Sequence, residues 1–371
     1  MTNDTATPLP LDAVVLAAGE GSRMRSARPK PIHRLCGRPM LQYVVDSLAH
    51  ASAQHVVIVI GHRGDWVAKT MRELVDDVDL SFVEQVEQKG TGDATSVGLV
   101  GLPEDADDSD VLVLPGDTPL LRPETISALV DHHRATGAAA TLLSARMDDP
   151  TGYGRVIRSA DGRVARIVEH KDATDEERAV DEVNTSIYCF RRSLLAPALR
   201  RVTPDNAQGE YYLTDVVEVF NETGHRVEAV VAADADETHG VNDRLQLAAA
   251  EAVLRRRTNE QLQRNGVTMV DPDAVYVDTT VTVGRDVTLF PGTILQGSTV
   301  VGDECEVGPD TRLVDCTVGA GTRLERTTGR RATVGERCVV GPYAVLEEQS
   351  EVPSGTTTGP FYTAGSDNAG E

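Results

Sequence analysis

The chain has 371 residues, 40% of them hydrophobic and 25% charged, and a formal net charge of −22. This length predicts two or three domains, and the negative charge argues against a nucleic-acid partner. No apolar run approaches the ~20 residues of a membrane-spanning helix, so we expect no membrane association. The cysteines form no Cys-x-x-Cys pair, which favours reduced thiols in a cytoplasmic protein over disulfides or zinc: Cys36, Cys189, Cys305, Cys316 and Cys338.

The first part of the chain alternates apolar runs with amphipathic stretches, a pattern typical of an α/β fold with a buried parallel sheet. Residues 1–10 are predicted to be disordered. The predicted strands are Leu11–Leu16, His55–Ile60, Leu80–Glu84, Val111–Leu114 and Ala138–Ala145, and a second group extends the sheet at Arg155–Arg158, Arg163–Glu169, Val183–Phe190 and Arg226–Val231. The predicted helices are Pro39–Ala49, Asp65–Val75, Ala94–Val100 and Pro123–Thr136. The histidines, including the pair His132-His133, lack metal-ligand spacing and are predicted to lie at the surface.

A glycine-containing loop follows the first predicted strand. Gly19 and Gly21 allow a ligand to approach the backbone, whose N–H groups can then point at an anion. The cations Arg23, Arg25, Arg28 and Lys30 come next, so the stretch Leu16–Lys30 predicts a phosphate site. The spacing fits neither a dinucleotide-binding Gly-x-Gly-x-x-Gly nor a P-loop. Right-handed crossovers would bring this loop and Asp117, which follows another strand, to the same edge of the sheet.

The last third of the chain contains a six-residue repeat. A helix over 242–266 comes first and is predicted to link two domains. Aliphatic residues then recur at Val277, Val283, Leu289, Leu295, Val301, Val307 and Leu313, continue after a one-residue slip at Val318 and Leu324, and resume after an interruption at 329–332 with Val334, Val340, Leu346 and Val352. This period predicts a left-handed parallel β-helix of roughly four coils over 267–357, followed by a flexible tail at 358–371.

Several motifs in family order carry a resemblance. They are Leu16-Ala17-Ala18-Gly19 with Pro29-Lys30, Gln85-x-x-Gln88-x-Gly90-Thr91-Gly92, Gly116-Asp117, Gly152-Tyr153-Gly154-Arg155, Glu169-His170-Lys171-Asp172, Asn184-Thr185, Asn206 to Tyr212 and Gly240-Val241-Asn242. Residues 11–358 resemble the bacterial bifunctional family that joins an N-acetylglucosamine-1-phosphate uridylyltransferase to a glucosamine-1-phosphate acetyltransferase. The implied architecture is a Rossmann-like nucleotide-diphospho-sugar transferase domain followed by a left-handed β-helix, with a homotrimer formed through the β-helix.

The resemblance also implies roles for individual residues. The substrates would be UTP and N-acetylglucosamine 1-phosphate, and the cofactor Mg²⁺. Arg23 and Lys30 would be catalytic, and Asp117 and Asn242 would ligate the metal. The nucleotide would contact Leu16, Ala17, Gly19, Gln85, Gly90 and Thr91, and the sugar would contact Gly154, Glu169, Asn184 and Thr185.

Most of these residues also have structural interpretations. Asp117 could cap a turn, Asn242 could cap the long helix, and Glu169 with Lys171 could be a solvated pair. A pyrophosphorylase for another sugar and a non-catalytic homologue therefore stay open. Pro115 stands where the family commonly has an aromatic residue, and Ser186 where it has Gly, so sugar preference is open as well.

The acetyltransferase half of the resemblance is weaker. Leu346-Glu347-Glu348 stands where an Arg-Pro is expected, and the chain stops before the coils that carry the acetyl-transfer residues. The chain thus resembles a form truncated in that domain. We expect acetyltransferase activity to be absent and the β-helix to serve as an oligomerisation stem.

Overall fold

The computed structural model describes residues 9–76, 78–103 and 109–365. These residues form two compact units. The first unit contains the described residues up to His33 together with Pro39–Gln246, and the second contains Arg34–Arg38 and the described residues from Leu247 onward. The predicted disorder at residues 1–8, and the end of the predicted tail at 366–371, lie outside the described residues.

The elements are numbered along the chain up to the long helix. They are β1 (Leu11–Ala17), β2 (Arg34–Leu35), β3 (Arg38–Pro39), α1 (Met40–His50), β4 (His55–Ile60), α2 (Gly64–Leu74), β5 (Asp79–Glu84), α3 (Thr91–Val100), β6 (Asp110–Pro115), α4 (Pro123–Thr136), β7 (Ala140–Arg146), β8 (Arg155–Arg158), β9 (Val164–Val168), α5 (Asp175–Arg178), β10 (Glu182–Arg191), α6 (Arg192–Leu199), α7 (Val216–Glu222), β11 (Val227–Val231) and α8 (Arg244–Arg264). The strands β2 and β3 pair with each other.

The first unit is built on one mixed sheet in the order β11-β7-β10-β6-β1-β4-β5. Strands β1, β4, β5 and β6 run parallel to one another, whereas β10 is antiparallel to both β6 and β7. The prediction that the second group of strands merely extends the sheet is therefore wrong for β10, which lies inside it. Its almost continuous burial suits that central position. The hairpin β8–β9 joins the sheet at β10.

Hydrophobic layers cover both faces of this sheet. Successive residues of β4 illustrate the pleat, since Val57 and Val59 belong to one layer and Val56 and Ile58 to the other. Helix α3 packs on the first of these layers and α1, α2 and α4 on the second. The strands that the apolar runs predicted are confirmed, each to within two residues; β1, β4 and β6 are buried, whereas β5 at the edge of the sheet is only partly buried.

Two further differences from the sequence predictions occur in the first unit. Helices α5, α6 and α7 were not predicted, because α5 has four residues and α6 contains Pro197. The prediction that both neighbouring histidines lie at the surface is wrong for His133, which is 2% exposed and pairs with Thr141 Oγ1 at 2.9 Å. His133 continues the buried face of α4 that Ile126, Leu129 and Val130 begin.

Apart from Arg34–Arg38, the second unit begins inside α8, at Leu247, and continues as short strands. Their bounds are β12 (Thr268–Met269), β13 (Tyr276–Val277), β14 (Thr282–Val283), β15 (Thr288–Leu289), β16 (Ile294–Gln296), β17 (Val300–Val301), β18 (Glu306–Val307), β19 (Arg312–Val314), β20 (Thr317–Val318), β21 (Arg323–Leu324), β22 (Thr328–Arg330), β23 (Thr333–Val334), β24 (Val339–Val340), β25 (Val345–Leu346), β26 (Glu351–Val352) and β27 (Thr363–Ala364).

From β12 to β23, each strand pairs in parallel with the third strand after it, and β25 pairs in parallel with β27, which makes three sheets of five, six and five strands. Such stacking defines a parallel β-helix, and the predicted fold class is confirmed. The inward residues, such as Leu289, Val307 and Leu324, are buried and stack above one another. The sheets correspond to about five coils rather than the predicted four, because the first strand starts at Thr268 and the last ends at Ala364.

The apparent interruption of the repeat is itself a regular coil. Gly329 takes the inward position of β22, in register with Leu313 below and Leu346 above. A Cβ at Gly329 would lie 3.2 Å from Leu313 Cδ2, so the interior leaves little room for a side chain there. The predicted tail also begins too early, since Thr363–Ala364 pairs with Val345–Leu346.

A buried amide ties α8 to the first coil. Asn259 is 2% exposed, and its Nδ2 donates to the carbonyls of Pro272 (2.9 Å) and Val275 (3.0 Å). Among the described helices, none combines the length and the apolar composition that a bilayer crossing requires.

Candidate active site

The site forms where β1 and β6 end side by side. These parallel neighbours bring Leu16 into register with Pro115, and the N–H of Gly116 donates to the carbonyl of Leu16 at 2.9 Å. The glycine loop after β1 and Asp117 after β6 therefore leave the sheet at the same edge, as the sequence predicted. Ligands of open α/β sheets bind at this carboxyl edge.

Four predicted side chains meet there. The ammonium of Lys30 donates to Asp117 Oδ2 and, at 2.8 Å, to Asn242 Oδ1. Arg23 Nη2 donates to the same Asn242 oxygen at 2.9 Å. A main-chain bond supports the group, because the N–H of Val241 donates to the carbonyl of Asp117 at 2.8 Å. Two cations and two oxygen ligands thus form one connected cluster from three distant segments.

The glycine loop holds its cations in place by a tight turn. Gly21 has φ = 64° and precedes a 3₁₀ turn at Ser22–Met24. A Cβ at Gly21 would lie 2.6 Å from the Cβ of Lys30. Glycine is therefore required at this position for its backbone conformation and for lack of space, because the loop packs directly against Lys30.

The donor set suits a hard cation. Asp117 contributes a carboxylate and Asn242 an amide oxygen, which are ligands that Mg²⁺ accepts while it keeps several waters or phosphate oxygens. Among the described residues, no group of three or more His, Cys, Asp or Glu side chains is placed to hold a metal. Two protein ligands completed by substrate phosphates are consistent with that finding.

The predicted nucleotide residues lie on the turn between β5 and α3 and on the end of β1. Gln85 is 5% exposed, and its Nε2 donates to the carbonyl of Gly90 (3.3 Å) and to Asp93 Oδ2 (2.7 Å). Thr91 Oγ1 accepts from the N–H of Leu213 at 3.0 Å. These side chains hold the turn in shape.

At the end of β1, the groups predicted to contact the nucleotide are mainly backbone groups. The carbonyl of Leu16 already accepts from Gly116, and Ala17 is the last residue of β1. A Cβ at Gly19 would meet no atom within 4 Å, so the loop is open at that point. Gln88, which the motif contained but the site prediction did not include, donates from Nε2 to the carbonyl of Ala18 at 2.6 Å and holds this loop.

The predicted sugar residues lie on β10 and on the hairpin β8–β9. The N–H of Asn184 donates to the carbonyl of Gly154 at 2.8 Å. A Cβ at Gly154 would lie 3.4 Å from both carboxylate oxygens of Glu169, so these three residues are immediate neighbours. Thr185 points elsewhere, because its hydroxyl donates to the carbonyl of Leu143 at 2.6 Å and is buried.

Around these predicted sugar residues, the pKa values of acidic side chains are raised. Burial, together with the negative charges of Asp215 and Asp172, raises the pKa of Glu169. Burial also raises the pKa of Asp215 to about 6, and Glu218 and Asp172 add to that rise. The carboxylates Glu169, Asp172 and Asp215 line a common cavity of about 390 Å³.

Ser186 introduces backbone strain beside Asn184. Its φ is 61°, the left-handed region, and the pairing of β10 with β7 shifts register between Asn184 and Ile187. The N–H of Ser186 donates to Asn184 Oδ1 at 3.2 Å. The residue therefore occupies a bulge that favours glycine, which agrees with the Gly of the related motif.

Sequence reasoning assigned no role to two aromatic side chains next to the cluster. Tyr153 contacts His239 edge to face, with ring centroids 6.4 Å apart. Burial and the charge of Asp117 raise the pKa of Tyr153, which indicates that its hydroxyl is near that carboxylate. The sequence signal that could have identified them is their position, since Tyr153 lies inside the Gly-Tyr-Gly segment and His239 inside the His-Gly-Val-Asn segment.

Comparison with known proteins agrees with this geometry. Residues 13–218 match the family of MobA-like NTP transferase domains, so the chain is a nucleotidyltransferase. It is also similar over most of its length to proteins named bifunctional protein GlmU. The relative from Caldanaerobacter subterraneus subsp. tengcongensis is 44% identical over 92% of this chain and 73% of its own length.

Two further relatives give similar values. The protein of Corynebacterium aurimucosum is 46% identical over 90% of this chain and 69% of its own length. That of Streptomyces coelicolor is 45% identical over 98% of this chain and 75% of its own length. This chain belongs to the GlmU family.

Proposed function

We infer that this protein is a UTP:N-acetylglucosamine-1-phosphate uridylyltransferase, which forms UDP-N-acetylglucosamine and releases pyrophosphate. The observation that carries this inference is the connected cluster of Arg23, Lys30, Asp117 and Asn242 at the carboxyl edge of the sheet. A product of this kind feeds peptidoglycan and other cell-wall precursors.

The reaction needs positioning and charge neutralisation more than covalent chemistry. A phosphate oxygen of the sugar attacks the α-phosphorus of UTP in line with the departing pyrophosphate. Arg23 offers planar donors to the triphosphate and to the charge that grows on the leaving group, and Lys30 offers a mobile charge near the α-phosphate. Lys30 can turn from Asp117 to a phosphate oxygen because its ammonium has three donors on a flexible stem.

Asp117 and Asn242 would hold Mg²⁺, which when bound neutralises phosphate charge as a Lewis acid. Both oxygens accept hydrogen bonds from the cations of the cluster, Asp117 from Lys30 and Asn242 from both Lys30 and Arg23. The assignment predicts that Asp117→Asn loses Mg²⁺-dependent turnover. Full turnover with an unchanged Mg²⁺ requirement would refute it.

Substrate selection is assigned to the two walls of the cleft. Gln85, Gly90, Thr91 and the backbone at Leu16, Ala17 and Gly19 would recognise uracil and ribose. Gly154, Glu169 and Asn184 would bind the sugar and its N-acetyl group. The buried hydroxyl of Thr185 makes it a residue that supports the wall rather than one that contacts the sugar.

The test is pyrophosphate release from UTP and Mg²⁺ with N-acetylglucosamine 1-phosphate, glucosamine 1-phosphate and glucose 1-phosphate in parallel. Strong preference for the N-acetylated sugar is the expected result. Release with another sugar alone would favour the second candidate, a pyrophosphorylase of different specificity, to which the strained Ser186 draws attention. No release with any sugar would indicate a non-catalytic homologue.

We also propose that this chain does not catalyse acetyl transfer. The support is Glu347 at a position where the related motif has Arg, since a carboxylate repels the phosphates of acetyl-coenzyme A. The check is release of free coenzyme A with glucosamine 1-phosphate as acceptor, which should not exceed the rate without protein. Acetylation above that background would contradict the proposal.

A homotrimer formed through the β-helix, in the cytoplasm where UTP is available, completes the proposal. Aliphatic side chains on the outside of the coils support it, because Val300, Val339 and Val345 are each more than 40% exposed. Light scattering should give a mass three times that of the 39.8 kDa chain.

A further inference from the structure

The first unit contains a buried arginine next to the sugar wall. Arg155 is 1% exposed and is the largest of its fully buried side chains. Within 4 Å of its guanidinium, the described part of the chain shows no carboxylate, and its Nε has no hydrogen-bond partner there. Burial and the nearby Arg178 lower the pKa of Arg155, and Asp149 only partly offsets this.

A buried charge without a counterion costs stability. Burying a cation is expensive unless hydrogen bonds and an opposite charge compensate it, and apolar side chains of similar volume usually stabilise such positions better. Stability alone therefore does not account for an arginine here. The guanidinium must provide a geometry that an apolar side chain could not.

That geometry is a bridge between two backbone carbonyls. Nη1 donates to the carbonyl of Tyr153, and Nη2 donates to the carbonyl of Arg178 at 3.4 Å. The first carbonyl belongs to the turn that carries Gly154. The second is the last carbonyl of α5, one of the groups that a helix leaves without an internal partner.

The α5 segment is continuous with Glu169. The carbonyl of Glu169 accepts from the N–H groups of Asp172 (2.9 Å) and Ala173 (3.0 Å). Thr174 then starts α5 with a capping box, in which Thr174 Oγ1 accepts from the N–H of Glu177 and Glu177 Oε2 accepts from the N–H of Thr174. Glu169–Arg178 is therefore one hydrogen-bonded run whose far end is held by Arg155.

The strands place Arg155 between the pieces that it joins. Arg155 pairs with Val168 of β9 on one side and with Val183 of β10 on the other. Glu169 directly follows the first partner, and Asn184 directly follows the second. The same residue therefore lies beside all the sugar-facing positions: Gly154, Glu169 and Asn184.

We propose that Arg155 is a positioning residue for the sugar phosphate, because its guanidinium joins the carbonyls of Tyr153 and Arg178 and so fixes the distance between Gly154 and Glu169. This proposal rests on the proposed function. Arg155 touches no substrate and acts only through the turn and the segment that it connects.

The test is Arg155→Lys, assayed for turnover with UTP and N-acetylglucosamine 1-phosphate. The ammonium of lysine keeps the positive charge, but it lacks the planar, forked set of N–H donors with which the guanidinium reaches the carbonyls of Tyr153 and Arg178. We expect the KM for the sugar phosphate to rise at least tenfold, with the KM for UTP within twofold and kcat within threefold of the unmodified protein. Equal changes in both KM values, or none, would overturn the proposal.

A second buried arginine separates positioning from stability. Arg192, the first residue of α6, is 9% exposed, donates to the carbonyl of Pro103 at 2.6 Å and lies 3.6 Å from Asp12 Oδ2, and neither partner is a predicted site residue. Arg192→Lys should lower the melting temperature while leaving both KM values unchanged. If it raises the sugar KM as Arg155→Lys does, the effect is one of general destabilisation and the proposal fails.

A second variant keeps the test decisive if Arg155→Lys does not fold. Thr174→Ala breaks the capping box and loosens the same segment without touching Arg155, and it should raise the sugar KM about threefold at unchanged UTP KM. An unchanged sugar KM in this variant would overturn the proposal. The unmodified protein, run alongside, tests the proposed function separately, because that function fails if it gives no turnover.

Discussion

The proposed phosphate side and the proposed sugar side of the cleft are built in different ways. On the proposed phosphate side, Lys30 donates to Asp117 and Asn242 and Arg23 donates to Asn242, so these side chains also connect the loops that carry them. On the sugar side, carbonyls and N–H groups fix the positions, and the acidic side chains have raised pKa values. Hydrogen bonds between polar and charged side chains hold the first side together, and main-chain hydrogen bonds hold the second.

The largest expected effect tests the phosphate side. Lys30→Ala removes the charge between the loop and Asp117, and kcat/KM should fall about 10³-fold, or about 4 kcal/mol, because preorganised charges dominate phosphoryl transfer. Lys69→Ala, which removes an exposed lysine of α2, should leave turnover unchanged. A fall of less than tenfold for Lys30→Ala would mean that this cluster only connects the loops and does not contribute to catalysis.

A smaller effect is expected from the sugar side. Glu169→Gln keeps the shape of the side chain but removes an acceptor, and the sugar KM should rise about 10- to 100-fold, the range of one buried hydrogen bond. The UTP KM should stay constant. Glu218→Gln, in the same cavity but exposed, provides the control. A matching rise in the UTP KM would show that the two sides are not separate.

The pH dependence of stability distinguishes the two sides further. The pKa of Asp215 is raised to about 6 in the folded protein, above its unfolded value of about 4. Between these values the unfolded chain ionises first, so this residue costs stability that grows from pH 4 to pH 6 and is constant above. Asp215→Asn should thus be more stable than the unmodified protein by on the order of 1 kcal/mol at pH 7.5, and equally stable at pH 4.

Thermal unfolding at a series of pH values measures this difference. An advantage of the variant that is the same at pH 4 and pH 7.5 would show that packing, and not the titration of Asp215, is responsible.

The smallest expected effect concerns the β-bulge at Ser186. Ser186→Gly relieves a left-handed conformation that costs about 1–2 kcal/mol, offset in part by the greater freedom of glycine in the unfolded chain. A gain of about 0.5 kcal/mol is expected in chemical denaturation. Ser52→Gly relaxes a comparable φ of 65° outside the site and should stabilise similarly. Only Ser186→Gly should change the sugar KM.

The same contrast explains what the sequence could predict. Arg23, Lys30, Asp117 and Asn242 were recognisable because each stands in a short motif, and the motifs follow one another in a fixed order. The bridge made by Arg155 was not, since its partners are main-chain carbonyls that have no residue signature. Likewise, the apolar runs predicted the strands but not the insertion of β10 between β6 and β7, which depends on which strands pair.

In the β-helix, the six-residue period predicted the inward residues correctly up to Leu313, and again after the one-residue slip at Val318 and Leu324 and from Val334 to Val352. It missed Gly329, which takes an inward position in place of an aliphatic residue. Hydropathy cannot detect an inward position that has no side chain. The tail was misjudged for a related reason, since Ala364 is a small inward residue that follows a polar stretch.

The stacked coils have a consequence for how this part of the molecule tolerates change. Each strand of the β-helix pairs only with the coils directly above and below it, so its stability is a sum of neighbour terms, as in a one-dimensional array. Gains or losses of whole coils preserve every remaining interface. The number of coils is therefore a property that evolution can alter in whole steps, without redesigning the interior of those that remain.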